Sequence, residues 1–150
     1  CLDICLTGQF LCTRLAVPLI KAAGGGSIVN MSSAAGRHGY AFRTAYSAAK
    51  FGVIGFTQSL AKELGPHNIR VNAILPGIVA GERMEGVIRD RAVQVGVSYE
   101  EMETRYLERV SLRRMVTPQD VAATIAFLLS TAGSNISGQS IGVDGNVETL

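Results

Sequence analysis

The chain has 150 residues, which suits one domain and leaves no room for two ordinary ones. Hydrophobic residues make up 47% and charged residues 17%, a balance that supplies a core and excludes a disordered chain. The formal net charge is +2, and Lys and Arg form no cluster. Nucleic-acid-binding surfaces carry a basic stripe, so we expect no nucleic-acid partner.

Three features bear on where the protein works. No apolar run approaches the roughly 20 residues that cross a bilayer, so we expect no membrane partner. The first residues show no basic leader and no initiator Met, and they resemble the middle of a helix, which predicts that the protein begins upstream. Cys1, Cys5 and Cys12 share a helical pattern without a nearby His, which favours small buried residues in a reducing cytoplasm over a zinc site or a disulfide.

Hydrophobic periodicity and turn residues divide the chain into alternating elements. The first predicted elements are a helix over 2–23, a strand over 27–31, a Gly-rich polar loop over 32–42, a helix over 44–64 and a strand over 69–74. They are followed by charged helical residues over 82–110 with a break at 96–98, a helix over 118–129 and a strand over 140–144. Thr117 suits the N-cap of the last helix, and Pro118 suits its first position. This alternation predicts an α/β fold, a parallel sheet covered by helices on both faces.

Tyr46 and Lys50 form the first chemically informative pair, four residues apart in a predicted helix. That spacing puts both side chains on one helix face, about 6 Å apart at the backbone. An ammonium nearby favours the phenolate form of a tyrosine, and a tyrosine tuned in this way can act as general acid or base on an alcohol or carbonyl oxygen. The pair alone predicts little, because the same spacing occurs by chance on ordinary helix faces.

Two loops follow predicted strands and flank this helix. Ser32 and Ser33 come directly after the first strand, and Pro76 and Gly77 end the second. Doubly wound sheets bind their ligands at the carboxyl ends of the strands, where a serine hydroxyl can polarise a substrate oxygen and a sharp Pro-Gly turn leaves amides free. The sequence therefore predicts that these loops converge with the Tyr46 helix on one site.

The motifs in combination resemble the short-chain dehydrogenase/reductase family. Residues 27–36 (SIVNMSSAAG) followed by 46–50 (YSAAK) are similar to the catalytic block of that family. Residues 68–77 (NIRVNAILPG) and 137–145 (SGQSIGVDG) resemble its next two signatures, in order and at family spacing. The likeness covers nearly the whole chain and is strongest to the 3-oxoacyl-ACP reductase-like members. It implies a doubly wound fold of the Rossmann type.

The resemblance implies a role for each catalytic side chain. Ser33 lies thirteen residues before Tyr46, the usual family interval, and matches the serine that binds the substrate oxygen. Tyr46 matches the general acid/base, and Lys50 matches the residue that binds the nicotinamide ribose and favours the phenolate. Ser32 is then a structural neighbour. The implied reaction is hydride transfer between the nicotinamide and a secondary alcohol or ketone.

The resemblance also implies a cofactor and partners. Tyr46 and Lys50, together with Pro76, Gly77 and Ile78, match the residues that contact the nicotinamide, so the expected cofactor is NAD or NADP. The expected partners are a small alcohol or carbonyl substrate and further copies of the chain, in a cytoplasmic tetramer or dimer. A small-residue face formed by Ala45, Ala48, Ala49 and Gly52 permits close helix packing, between subunits or within one.

The chain departs from the family pattern in three places. The Gly-rich cofactor turn after a first strand is absent, so we expect residues 1–150 to be the carboxy-terminal part of a single domain, with a sheet edge and half a core uncovered. Cys5 stands where many members have an Asn that holds a water in the proton relay, and a thiol is a weak donor and acceptor, which predicts an altered relay. Gly81 falls near a family Thr that contacts the cofactor.

A long charged segment over 79–115 lies where the family carries its substrate loop. Its arginines suit an anionic substrate, but they alternate with acids along a helix face, which favours solvated, paired side chains. The arginines are Arg83, Arg89, Arg91, Arg105, Arg109, Arg113 and Arg114. The length resembles that of the 3-hydroxybutyrate dehydrogenases, which have a His where this chain has Ala35, so we do not assign that substrate. His38 and Arg43 are candidate pocket residues, although we expect both to be exposed residues of a loop.

Three functions remain open. The leading hypothesis is an NAD(P)-dependent oxidoreductase with Tyr46 as general acid/base. The alternative is a cofactor-binding homologue with weak or lost catalysis. Cys5 in place of the family Asn supports this alternative, whereas the intact Ser33, Tyr46 and Lys50 argue against it. The third is an isomerase or dehydratase on the same scaffold, which would form product without a net change in the cofactor.

Overall fold

The computed structural model describes residues 1–147. Its main elements are α1 (Gly8–Ala22), β1 (Gly26–Met31), α2 (Thr44–Leu64), β2 (Ile69–Pro76), α3 (Glu82–Val95), α4 (Tyr99–Leu107), α5 (Pro118–Leu129) and β3 (Ser140–Val143). A π-helical turn over Asp3–Thr7 leads into α1, and a 3₁₀ turn over Ala34–Gly36 follows β1. The predicted order of helices and strands is confirmed, and the charged segment divides into two helices at the expected break.

The three strands form one parallel sheet in the order β1-β2-β3. Met31 of β1 pairs with Ile74 of β2, and Ile74 pairs with Ile141 of β3. Because the strands run in the same direction, the loops after β1 and β2 emerge at the same edge of the sheet. This geometry confirms the predicted α/β class and brings the two candidate loops together.

Helices α1 and α2 cover one face of the sheet. Leu64, Ile69 and Val71 are buried in a cluster between α2 and the strands. The partly buried side chains that pack against this cluster come from α1, β1 and α2: Val17, Ile20, Ile28, Leu60 and Ala61. The cluster thus holds the Tyr46 helix against the middle strand.

On the second face of the sheet lie the alternate side chains of β2, because successive side chains of a strand point to opposite faces. The guanidinium of Arg70 donates to the carbonyl oxygen of Gly133 at 2.8 Å, and the amide of Asn72 donates to that of Ile136 at 2.8 Å. Both carbonyls belong to the segment that leads from α5 to β3, and α5 itself contacts all three strands. The sheet is therefore covered on both faces, as in Rossmann-type folds.

The start of α5 forms as the sequence predicts. The hydroxyl of Thr117 accepts from the backbone N–H of Asp120, and the Asp120 carboxylate accepts from the backbone N–H of Thr117. Pro118 occupies the first helical position, where its missing N–H is no loss. This reciprocal cap fixes the boundary between the charged segment and α5.

Two expectations about the first helix are wrong. The cysteines are free thiols, but Cys1 and Cys12 are exposed and Cys5 is half-buried. The π-helical turn buries no residue, and the buried residue of α1 is Thr13. The helical residues Asp3–Ala22, with a mean hydropathy of 1.3, are long and apolar enough to cross a membrane by length and composition. Arg14 and Lys21 interrupt this segment, so the sequence shows no unbroken apolar run here. Core helices of soluble proteins can have the same length and composition.

The small-residue face of α2 is divided between the interior and the surface. A Cβ on Gly52 would lie 2.8 Å from the Leu6 side chain, so this glycine allows the first turn of the chain to approach α2 closely. Ala49 is fully buried, whereas Ala45 and Ala48 are exposed. Part of the face thus packs within the chain.

Candidate active site

A cleft of about 600 Å³ opens at the carboxyl ends of β1 and β2. Its wall includes all six residues that the sequence singled out for catalysis or the cofactor loop, namely Ser33, Tyr46, Lys50, Pro76, Gly77 and Ile78. Tyr40 also lines the cleft. The parallel register and the position of α2 above β2 bring these residues together from three parts of the chain. The sequence placed Ser33 and the Pro76 loop after strands and Tyr46 and Lys50 on a helix, and the fold makes them one site.

Lys50 is fixed at the back of the cleft. Its side chain is 8% exposed, and its Nζ donates to the carbonyl oxygen of Met31 at 3.0 Å. The same Nζ lies 5.6 Å from the centre of the Tyr46 ring, within the range of a cation–π contact. An ammonium has three donors, so two remain for a ligand after the bond to Met31.

Gln9 is a site residue that the sequence analysis missed. Its side-chain amide pairs with the backbone of Met31 in both directions: the Met31 N–H donates to Oε1 at 2.9 Å, and Nε2 donates to the Met31 oxygen at 3.2 Å. Nε2 also donates to the carbonyl oxygen of Cys5. Gln9 thus holds the carbonyl that anchors Lys50. A polar residue on a helix gives no local signal of such a contact.

Ser33 and Ser32 have different surroundings. Ser33 is half-buried on the cleft wall, and its Oγ accepts from the backbone N–H of Ala35 at 3.2 Å. Because the Oγ is the acceptor in that bond, its own proton remains available to a substrate oxygen. Ser32 is 3% exposed and donates to the carbonyl oxygen of Lys50 at 2.8 Å. Ser32 therefore joins the end of β1 to α2, in keeping with a structural role.

The loop after β2 is fixed from both sides. The Gly77 N–H donates to the carbonyl oxygen of Val143 at 3.1 Å, and the Ile78 oxygen accepts from the N–H of Val116 at 2.9 Å. A Cβ on Gly77 would lie 2.7 Å from the Cβ of Asp144, so only glycine allows this approach to the end of β3. These contacts hold the loop after β2 in place on the cleft wall.

The charged segment contributes to the cleft wall unevenly. Arg83 and Arg109 line the cleft, together with Glu82 and the backbone of Gly81. Among residues 1–147 the ion pair is Arg105 with Glu101, at 2.6 Å. The expected pairing of the arginines with acids is thus confirmed for Arg105 alone.

The two candidate residues of the loop before α2 differ in outcome. Arg43 lines the cleft, and its guanidinium lies 5.2 Å from the centre of the Tyr40 ring. Arg43 is exposed, as expected, and it also lies on the cleft wall, at the N-cap of α2. His38 is half-buried and is not part of the cleft wall as the described residues form it.

Comparison with known proteins identifies the family. The sequence model of a family described as enoyl-(acyl carrier protein) reductase matches residues 1–147. The chain is 40% identical over 144 residues to trans-4-hydroxycyclohexanecarboxylate dehydrogenase of Sinomonas cyclohexanicum, covering 96% of this chain and 49% of the relative. It is 38% identical over 146 residues to the 3-oxoacyl-[acyl-carrier-protein] reductase FabG of Thermotoga maritima, covering 97% and 55%. The chain belongs to the short-chain dehydrogenase/reductase family.

Solved structures agree with this family and its fold. NAD⁺-bound xylitol dehydrogenase superposes with a TM-score of 0.88 at 30% identity, covering 97% of this chain and 58% of that one. An F189W variant of actinorhodin polyketide ketoreductase with NADPH superposes with a TM-score of 0.87 at 35% identity, covering 97% and 56%. The chain spans about half the length of the curated relatives it matches.

Proposed function

We propose that residues 1–150 are the carboxy-terminal part of a single Rossmann-type domain, and that the full-length protein interconverts a secondary alcohol and a ketone with NAD or NADP. The observation that carries this proposal is the meeting of Ser33, Tyr46 and Lys50 on one cleft at the carboxyl ends of parallel strands. The relatives support it, since those described above are named as dehydrogenases and reductases.

The cleft has the donor set that the nicotinamide half of such a cofactor needs. Lys50 keeps two donors free beside the Tyr46 ring, which suits the hydroxyls of a ribose. Pro76, Gly77 and Ile78 form a fixed wall on which a planar ring can pack. The bound cofactor would supply the hydride acceptor or donor. The related structures hold NAD⁺ in one case and NADPH in the other, so both remain candidates.

The proton chemistry is assigned to the side chains of this chain. In the oxidation direction, the Tyr46 phenolate takes the proton of the substrate hydroxyl, and in reduction the phenol gives a proton to the carbonyl oxygen. Ser33 donates a hydrogen bond from its hydroxyl to the same oxygen and holds it in place. The Lys50 ammonium lies beside the Tyr46 ring, with its Nζ 5.6 Å from the ring centre.

The exposed side chains support a proposal for the compartment and the oligomeric state of the protein. Free thiols at Cys1, Cys5 and Cys12 suit a reducing cytoplasm. The exposed apolar side chains of α1, which include Leu11, Leu15 and Leu19, suit cover by the remainder of the domain or by another subunit of a homo-oligomer; Leu15 and Leu19 are 70% and 73% exposed.

Replacement of Tyr46 by Phe in the full-length protein tests this function. The variant keeps the ring beside Lys50 and loses only the hydroxyl, so we expect kcat to fall by about 10²–10⁴-fold while cofactor affinity stays near that of the wild type. Turnover is followed by nicotinamide absorbance over a panel of ketones and secondary alcohols with both cofactors, and affinity by nicotinamide fluorescence. Tyr99→Phe is the matched control, because Tyr99 lies on α4 outside the cleft wall.

Each outcome of that experiment has a distinct meaning. Undiminished turnover in Tyr46→Phe contradicts the assignment of the general acid/base. Cofactor binding without turnover of any substrate by the wild type supports instead a homologue with lost catalysis. Product formation without net cofactor change indicates an isomerase or dehydratase.

A further inference from the structure

The cleft carries more positive charge than the proposed chemistry uses. Its wall includes the cationic side chains of Arg43, Lys50, Arg83 and Arg109, and Glu82 is the acid that faces them in the described part of the chain. Lys50 is engaged by Met31 and by the proposed cofactor site. Three guanidinium groups therefore remain, against one carboxylate, around a site of about 600 Å³.

These guanidinium groups are available to a ligand. The ion pair formed within residues 1–147 joins Arg105 to Glu101 and involves none of the arginines of the cleft. Arg83 and Arg109 have exposed side chains on the cleft wall. A cluster of arginines at one cleft focuses the electrostatic field there and attracts anions.

Arg43 is the best placed of the three. Its carbonyl oxygen accepts the first backbone bond of α2, from the N–H of Ser47 at 2.9 Å, so it belongs to the same first helical turn as Tyr46. Arg43 is the N-cap residue of α2, three positions before Tyr46, and both residues line the same cleft. An anion bound by Arg43 would thus lie close to the oxygen on which Tyr46 acts.

The contact with Tyr40 leaves Arg43 free to bind. The guanidinium lies over the face of the Tyr40 ring, with 5.2 Å to the ring centre. Stacking of this kind uses the flat face of the group and leaves the N–H donors at its edge for a planar, bidentate oxyanion. Tyr40 restricts the side chain in advance and reduces the entropy lost on binding.

We propose that the substrate of this site is an alcohol or ketone that carries a carboxylate or phosphate, and that Arg43 binds this anionic group beside the reacting oxygen. Arg83, on α3, and Arg109, just after α4, line the same cleft and add to the attraction. This inference rests on the proposed function and adds the substrate class. Phosphates of the cofactor are the competing anions, and the experiment separates them.

The test uses the full-length enzyme and pairs of substrates that differ in charge. Oxo acids of increasing chain length are compared with their methyl esters, and dihydroxyacetone phosphate is compared with dihydroxyacetone. We expect the wild type to prefer the charged member of at least one pair, and Arg43→Gln to reduce that preference in kcat/KM by about tenfold or more. The preference should also fall as salt is raised. Arg91→Gln is the charge-matched control, since Arg91 lies on α3 outside the cleft wall and bonds to Gln94.

The outcomes distinguish the two proposals. Equal losses of kcat/KM for charged and neutral substrates in Arg43→Gln would overturn the anion site and leave the proposed oxidoreductase function intact. A loss confined to cofactor affinity would have the same meaning. A wild type that prefers neutral substrates would do the same. If no substrate turns over, the proposed function fails, and calorimetric titration of the cofactor-loaded Tyr46→Phe enzyme with each pair still tests the site: charged members that bind no more tightly than neutral ones overturn it.

Discussion

Gly36 packs directly against the backbone that carries the candidate catalytic residues. A Cβ at this position would lie 2.4 Å from Oγ of Ser32, 2.8 Å from the carbonyl oxygen of Lys50 and 3.0 Å from its carbonyl carbon. Ordinary contacts of a Cβ lie between 3.4 and 4 Å. The φ angle of Gly36 is not in the left-handed region, so the effect of Gly36→Ala is steric. The turn after β1 and helix α2 must separate, or the Ser32 side chain must turn away.

The magnitude follows from those contacts. Overpacking of a well-packed site costs about 1–3 kcal/mol. Displacement of the Ser32 hydroxyl breaks its 2.8 Å bond to Lys50 and adds about 1 kcal/mol. We therefore expect Gly36→Ala to lower the free energy of unfolding by about 2–4 kcal/mol and the Tm by about 5–15 °C. Activity should fall as well, because Ser33 and Lys50 lie on the two elements that move apart.

Gly39→Ala is the matched control three residues along the same loop. No heavy atom lies within 4 Å of its Cβ position, and its φ is likewise ordinary, so we expect a Tm equal to or slightly above that of the wild type. Thermal unfolding of the full-length protein is followed by circular dichroism at one protein concentration, with and without cofactor. If Gly36→Ala and Gly39→Ala melt at the same temperature, the close contact deduced for Gly36 is wrong.

Two further predictions concern single hydrogen-bonded groups. Gln9→Ala should reduce kcat several-fold and shift the pH profile of turnover, because Met31 loses the amide that holds the carbonyl anchoring Lys50; an unchanged pH profile would limit Gln9 to a structural role. Hydrogen bonds from the backbone and then the side chain of Thr117 lower the pKa of Asp120 below its ordinary value of 3.8. The advantage of the wild type over Asp120→Asn should therefore be full above that value and vanish as pH falls through the lowered pKa. A Tm difference that is constant with pH would contradict this origin.

The parts of the fold set by neighbouring residues could be predicted from the sequence. Helix α2 runs over Thr44–Leu64 as predicted, because its apolar period is unbroken until Gly65 and Pro66 end it. The cap of α5 at Thr117 depends on residues within three positions of each other. The Tyr46 and Lys50 pair needs only the pitch of one helix. Combined with the family motifs, these local signals placed Ser33 and the Pro76 loop after strands and Tyr46 and Lys50 on one helix face.

Contacts between distant parts of the chain were decided by the tertiary structure. The sequence could not show that Gln9 reaches Met31, that Gly36 touches Lys50, or which arginines of the charged segment face the cleft. Arg83 and Arg91 look alike in the sequence, yet only the first lies on the cleft wall. Periodicity reports which face of an element is apolar, whereas the partner of that face depends on sheet register and helix packing over the whole chain.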